Sequence, residues 1–536
     1  MKATLIDRIV LAINPKEGLK RVMARDIVEK SESIYHTIGR NQQTKNYSPF
    51  FPTDPNFGVS ANIEAAHNRS SGLYFENAVA AGIINAMVDG SIGTGLVPQS
   101  KANNRILKLE QSEVDKTQRL IEAYWNIWAN SPEMCDHYGK QTFGSLQREA
   151  FINASMCGDM LQHIKIVKVN GAYLPQIQNI AGNSVKNEFL VDSKSIAGGV
   201  EVDASGREIA YMVAEAGNDL ISEKITRVPK YGTRTGRMMY NLVMLGQVVP
   251  GQRRGRSVIS RVAEPIIQMG RYNEAELTKA ILQSYMTLFI ETAEGHEELP
   301  YDDPIAKLTE ASNEAIVVRD ALGNVIEPED APAESPLTLG PGMINVLAPG
   351  QKAVLPESKS PVSEFWKFME ANLKFVGMAV GIPYEVLLKA FNSNYSASQA
   401  AIQDAARGWK ILATEWAYKY CFPVFEQFVD MLVRQNLISC PGFDNPMTRK
   451  AWLASEWFGP VVLNIDPVKN MNTAKLAIDN RLSTREIEAR KLFGNDWEAV
   501  NERLGEEEAM ILNVGGVVPV AGDEQKPQEE DKEDDE

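Results

Sequence analysis

In this 536-residue chain the residues best suited to chemistry are a glycine cluster, five histidines, a pair of adjacent acids and four cysteines. Gly90-Ser-Ile-Gly93-Thr-Gly95 has the backbone freedom of a phosphate-cradling loop. A nucleotide-driven motor, however, needs G-x-x-x-x-G-K-[ST] after a strand, with the lysine on the phosphates. Here no lysine is present and the preceding residues have helical spacing, so the cluster reads as a helix-stopping turn. His36, His67, His137, His163 and His296 stand apart from one another, without the H-E-x-x-H spacing that puts two imidazoles on one zinc ion. They read as surface or packing histidines. Asp302-Asp303 lies between prolines and reads as a solvated turn, and no G-x-S-x-G elbow offers a serine nucleophile. Cys135, Cys157, Cys421 and Cys440 form no C-x-x-C pair and read as reduced, packed thiols. The expectation is a protein that is not an enzyme, with no cofactor and no metal.

The elements that would carry such residues are mostly helical. Helical spacing runs from Asn68 to about Gly90 and from Ser112 to Asn130, where Tyr124, Trp125 and Trp128 share a side. Leu161–Val169 and Ala172–Ile180 alternate with period two around Asn170-Gly171, the signature of a hairpin with a type I′ turn. A second hairpin is expected to turn at Asp203–Gly206. From Pro265 to Ile290 a helix is expected again, with Ile266, Met269, Tyr272, Leu277, Ile281, Tyr285 and Leu288 as its stripe. Residues 293–361 carry nine prolines, which forbid long helices, and leave Ala315–Arg319 and Met343–Leu347 as candidate short strands.

Beyond them, Phe365, Met369, Leu373, Val376 and Val380 recur at steps of three and four. Trp366, Phe368 and Phe375 fall off that stripe, so the apolar surface is wider than one packing partner needs. Gly381-Ile-Pro383 ends this helix. Lys389–Tyr395 reads as a loop rich in Asn and Ser, and Ser396 with Gln399 as a capping box. The next helix is expected to run to about Gln435, on the order of 60 Å, kinked at Pro423. Ser483 with Glu486 suggests a further capping box, and Asp496-Trp497 another helix start.

Apolar residues make up 44% and charged residues 23% of the chain, proportions of a folded protein. At this length two to four structural domains are expected. No apolar run is long enough to span a membrane, and Ile9–Ile13 is too short for a secretory signal, so no membrane association is expected. The net charge is −15, and residues 523–536 hold nine acids against Lys526 and Lys532. This segment is expected to be disordered, serving either as a solubilising tail or as a contact for a basic partner. The acidic remainder argues against tight nucleic-acid binding, which phosphate contacts dominate.

The segment GIPYEVLLKAFNSNYSASQAAIQDAAR, Gly381 to Arg407, resembles the signature region of lambda-type phage portal proteins. Gly93-Thr-Gly95 is similar to that family's GTG turn, and Trp128, Cys135-Asp136, Gly139 and Thr142-Phe143 come after it at similar spacing. Gly199–Asp203 with Gly206-Arg207 and Ala210-Tyr211 resembles its GVE.D..G....AY hairpin. Arg253-Arg254-Gly255-Arg256-Ser257 stands where members have an RG turn before a long helix, and is more basic than usual. Trp457-Phe-Gly459-Pro460 with Asp466-Pro467 and Lys469 matches W.GP....DP.K. Asn14-Pro15 and Arg21–Arg25 resemble the opening. Gln399 replaces a frequent arginine.

The resemblance implies an α+β, mainly α-helical portal-type fold with wing, stem, clip and crown regions. Its parts would be an N-terminal arm over 1–60, the wing over 61–256, a stem helix over 257–292 and the clip over 293–361. A second stem helix would span 362–381, a tunnel-loop region 382–396, a long wing helix 397–440 and C-terminal wing or crown helices 441–515, before an acidic tail over 516–536. Lys389, Asn392, Asn394 and Tyr395 would form the tunnel loop facing DNA, the alternative being an ordinary helix connection in which Tyr395 anchors the following helix. Phe365, Trp366, Phe368, Phe375, Tyr272 and Tyr285 would pack the stem and its intersubunit contacts, and Arg253, Arg254 and Arg256 would either pair with acids of a neighbouring subunit or form a solvated basic turn. The implied function is a ring of twelve subunits at one capsid vertex of the virion, assembled in the host cytoplasm, through which double-stranded DNA passes without sequence specificity. Implied partners are the terminase large subunit, the major capsid and scaffold proteins and a head-tail adaptor. A scaffold or head-tail adaptor, or a divergent phage nuclease, remains an alternative.

Overall fold

The computed structural model describes residues 56, 59–169, 171–187, 192–193, 195–216, 223–245, 249–284, 288–290, 344–346, 362–390, 395–460, 467–494 and 497–513. The chain divides into two compact units, one made of 1–266 with 373–536 and the other of 267–372.

In the first unit the helix expected from Asn68 to Gly90 is two helices, α1 (Val59–Glu76) and α2 (Ala78–Ser91). Asn77 is the reason: its backbone is extended and its side chain accepts from the N–H groups of Val79 and Ala80, capping α2. Then come β1 (Val97–Ser100), α3 (Gln111–Asn130) and α4 (Phe143–Cys157). Trp125 and Trp128 on α3, Phe143 on α4 and Phe428 form one buried aromatic cluster, with ring centroids 4.7–5.3 Å apart. Such rings each bury about 150–250 Å² and anchor the core.

The expected hairpin is β2 (Asp159–Val169) with β3 (Ala172–Ala181); Val169 faces Ala172, as a two-residue turn requires, and Gly171 has φ 99°. A four-stranded antiparallel sheet comes next: β4 (Ile196–Ala197), β5 (Val200–Val202), β6 (Glu208–Ala216) and β7 (Glu223–Pro229) in that order. Its β5–β6 turn is held by Asp203, whose Oδ1 accepts from the N–H groups of Ser205 and Arg207. β8 (Tyr240–Met244) pairs with β2 and completes a three-stranded sheet. Helix α5 (Ala263–Ser284) carries Pro265 in its first turn, where an amide N–H has no intrahelical partner to lose.

In the second unit the helix expected to reach Ile290 stops at Ser284, because β9 (Leu288–Ile290) runs parallel to β10 (Ile344–Val346). That pairing joins segments more than fifty positions apart in sequence and leaves no trace in local spacing. Helix α6 (Val362–Val380) opens in this unit and ends in the first. Ala315–Arg319 and Tyr285 lie outside the described residues.

Past α6 the long helix is interrupted. It comprises α7 (Tyr395–Trp416), a wide π turn over Ala417–Cys421, and α8 (Phe422–Arg434). Because α7 already includes Tyr395 and Ser396, the capping box expected at Ser396 is not its start. A proline lacks the N–H that would bond the carbonyl four residues back, so Pro423 orphans Lys419 O. Asn241 Nδ2 donates to that oxygen at 2.8 Å and Gln162 Nε2 to Tyr420 O at 3.1 Å. Gln162 and Asn241 face each other across β2 and β8. The sheet therefore satisfies the carbonyl that Pro423 orphans and bonds a second one in the π turn, so the interruption is seated on the sheet rather than being a simple kink.

The rest comprises α9 (Pro446–Trp452), β11 (Ser455–Phe458) paired antiparallel with β1, α10 (Pro467–Asp479), α11 (Arg485–Phe493) and α12 (Trp497–Asn513). Thr484, not Ser483, caps α11, its hydroxyl accepting from Ile487 N–H. Glu486 is instead drawn to Lys101 and Gln99, at 2.5 and 2.7 Å, which tether α11 to the segment at β1. The architecture is α+β and mainly α-helical.

Candidate functional site

Helix α6 forms because Leu, Met, Ala, Lys and Glu favour helix and its apolar residues repeat at three and four. Leu373 and Val376 on the central stripe are buried, with Phe365 and Met369 half-buried. Trp366 is 60% exposed, Phe375 66% and Met378 76%, and Phe368 is exposed as well. At roughly 100° per residue, Trp366 flanks one edge of the buried stripe while Phe368 and Phe375 flank the other. Trp366 and Phe375, nine positions apart, thus point roughly 180° from each other. Within the second unit Tyr272 on α5 stacks on Phe365 at 5.5 Å and meets Phe368 at 4.7 Å. Leu277 and Ile281 on α5 remain exposed.

The end of α6 is built by two glycines. Gly381 adopts φ 72°, and Ile382 N–H returns to Gly377 O at 3.0 Å, so that Ile382 tucks under the helix. A Cβ on Gly377 would overlap Ile382 O. A helical turn, Tyr384–Leu388, ends at exposed Lys389, whose φ of 54° turns the chain away. Asn392 and Asn394 lie outside the described residues, and Tyr395 is the first residue of α7.

The arginine turn corrects one expectation. Arg254 is not available to a neighbouring subunit: it is buried inside its own chain. Its Nε and Nη2 bind the two oxygens of Asp159 at 2.7 and 2.8 Å, Nη1 donates to Val185 O and Gly198 O, and Nη2 also to Gly182 O. Gly255 N–H adds a bond to Asp159 Oδ2 at 2.7 Å. A guanidinium suits this place because its planar fork satisfies a carboxylate and several carbonyls at once. Gly158 and Gly255 let the two backbones touch, since a Cβ on either would overlap the other strand of chain. Arg253 is half-buried, its N–H donating to Asn56 Oδ1, and Arg256 is exposed. Asp159 is the residue that sequence reasoning missed; only its place after Gly158, at a helix-to-strand junction, hinted at a buried role.

Beside this pair lies His67, held neutral: burial first, and the Arg254 charge second, lower its pKa to about 4. His163, packed flat on Tyr240, is lowered to about 4, mainly by burial. Burial raises the thiols of Cys135 and Cys440 to about 12 and Cys157 to about 11, and that of Cys421 well above its usual value. These thiols are therefore protonated, poor nucleophiles. Gly93-Thr-Gly95 is a packing turn: a Cβ on Gly95 would stand 2.5 Å from Gly144 Cα, and Gln147 on α4 bonds both N–H and O of Leu96. Among the described residues no three His, Cys, Asp or Glu side chains are placed to hold a metal ion, and no helix is long and apolar enough to cross a membrane.

Comparison with known proteins gives these features a context. The chain is 23% identical over 447 residues to portal protein B of Escherichia phage lambda, covering 82% of each, and 21% identical over 448 residues to the portal protein of Escherichia phage N15, covering 82% of this chain and 83% of that one. Among solved structures it resembles a chain from the neck of a native gene transfer agent particle computed with C12 symmetry, with TM-score 0.37 and 12% identity over 80% of this chain and 93% of that one. A chain from the virion of a native gene transfer agent matches with TM-score 0.38 and 12% identity, covering 81% and 93%. The model of the lambda family of phage portal proteins matches residues 42–412, and this chain belongs to that family.

Proposed function

We propose that copies of this portal protein close into a twelve-membered ring at one capsid vertex of the virion, leaving a channel through which double-stranded DNA enters and leaves. The observation that carries this reading is helix α6, whose two apolar flanks point in opposite directions from one buried stripe. A two-fold dimer buries one patch against itself, whereas a ring needs two unlike faces, each meeting the other on a neighbour. Trp366 on one flank and Phe368 with Phe375 on the other suit the second arrangement. In this reading α5 and α6 are the stem, residues 293–361 the clip that engages terminase and then a head-tail adaptor, and Lys389, Asn392, Asn394 and Tyr395 the loop nearest the DNA. Of the basic turn, Arg253 and Arg256 rather than Arg254 meet a neighbour's acids, and the protein's role is structural rather than catalytic. The net charge of −15 supports a conduit, because a wall that neutralised many phosphates would hold the duplex in fixed registers.

The test is assembly. Trp366→Asp with Phe375→Asp should yield a folded protein, by circular dichroism and thermal melting, that elutes as monomers or small oligomers and shows no rings in negative stain. Intact rings from that double variant would overturn the proposal.

A further inference from the structure

At the C-terminal end of α8 the charge of this acidic chain reverses locally. The buried Asp430 accepts from Arg434 Nε at 2.7 Å, and Arg449 Nη1 and Arg237 Nε lie 3.2 and 3.7 Å from its oxygens. Glu426, one turn earlier, takes Lys450 at 3.1 Å. Gln435 extends the surface to the β2–β3 hairpin, bonding Tyr173 N–H and O at 2.8 Å each, where Lys168 Nζ lies 5.8 Å over the Tyr173 ring. Arg234 is exposed in the turn closed by the Tyr231–Met238 bridge, which also carries Arg237. Four cations, Arg237, Arg434, Arg449 and Lys450, thus lie within 4 Å of Asp430 or Glu426, with Asp444 acting on Arg434, while Lys168 and Arg234 belong to the adjoining hairpin and turn. One buried carboxylate needs one guanidinium; Asp430 has three around it, and the side chains of Arg434 and Lys450 are 59% and 56% exposed.

We infer that this patch binds the acidic segment 523–536 of this same chain. Nine acids against two lysines make that segment the densest opposite charge in the sequence. Carriage on one polypeptide raises its local concentration above that of any free acidic peptide. Carboxylates match guanidinium forks, and a peptide can place each one separately while keeping clear of Asp444. A duplex cannot, because its phosphates come in a fixed row.

The experiment uses the full chain and a zero-length carbodiimide cross-linker, which joins lysine amines to carboxylates, with the products read by mass spectrometry. Residues 523–536 should be linked to Lys450 or Lys168 at low salt, and the yield should fall roughly fivefold when salt rises tenfold, as screening requires. The double variant Arg234→Glu, Arg434→Gln should lower it by a similar factor while keeping its melting temperature within a few degrees, since Arg449 and Arg237 remain on Asp430. Absence of those links at low salt, or links indifferent to the double variant, would overturn the inference. So would binding of a short duplex DNA by a chain that shows no such links at low salt, which would give the patch to phosphate instead. Neither result bears on whether rings form.

Discussion

Arg254 and Asp159 show how much can rest on a single buried pair. With both side chains at most 1% exposed, neither charge has water to fall back on. Replacing one partner strands the other, a loss of roughly 3–5 kcal/mol, whereas exchanging both for neutral groups costs far less. Arg254→Met should therefore lower the urea midpoint sharply, and adding Asp159→Asn should recover part of the loss; equal or additive losses would contradict the pair. His67 makes a second prediction. Its folded pKa of about 4 lies below the unfolded value near 6.5, so as pH falls the unfolded chain takes up this proton first. The stability it contributes is complete above about pH 6.5 and is lost on descending toward pH 4, about 2 kcal/mol by pH 5. The drop in unfolding free energy between pH 7 and pH 5 should shrink by about that amount in His67→Gln, and an unchanged drop would exclude it.

Among the elements, the π turn between α7 and α8 is where local pattern and tertiary packing meet. Asn241→Leu removes the donor to Lys419 O and should cost about 1–3 kcal/mol, the penalty of a buried carbonyl left without a partner. Restoring an amide at the right place with Pro423→Ala should reduce that penalty in the double variant. A urea midpoint for Asn241→Leu equal to that of the parent would show that the sheet does not support the turn. The proline is visible in the sequence and so is an interruption near it. The π geometry is not, because it depends on two side chains from strands more than 170 positions away. Hairpins fare differently: Asn170-Gly171 and Asp203–Gly206 are legible, since a tight turn is written within a few residues.

At the scale of the whole molecule the apolar surface left open on one chain is the quantity that matters. Exposed rings on α6 would be an aggregation hazard in a protein meant to stay single, and are what ring closure between unlike faces would cover. If that is their use, Trp366→Asp alone should halve the available interface. Mixed with parent chains, it should then cap growing arcs, giving open fragments in negative stain rather than rings; closed mixed rings at the parent's frequency would argue against the two-flank arrangement.

From the sequence alone came the family resemblance, the helical bias, both hairpins, the wide apolar face of α6 and the lack of catalytic motifs, because each is written in residue types at short, regular spacing. The fate of Arg254, the division at Asn77, the early end of α5 at its β9–β10 pairing and the seat for the π turn were decided only by the tertiary structure. All four depend on which distant groups become neighbours. A basic turn in sequence looks the same whether its arginine faces solvent or a buried carboxylate. The difference between the two is the removal of water around Asp159, and that happens only when the chain has closed over it.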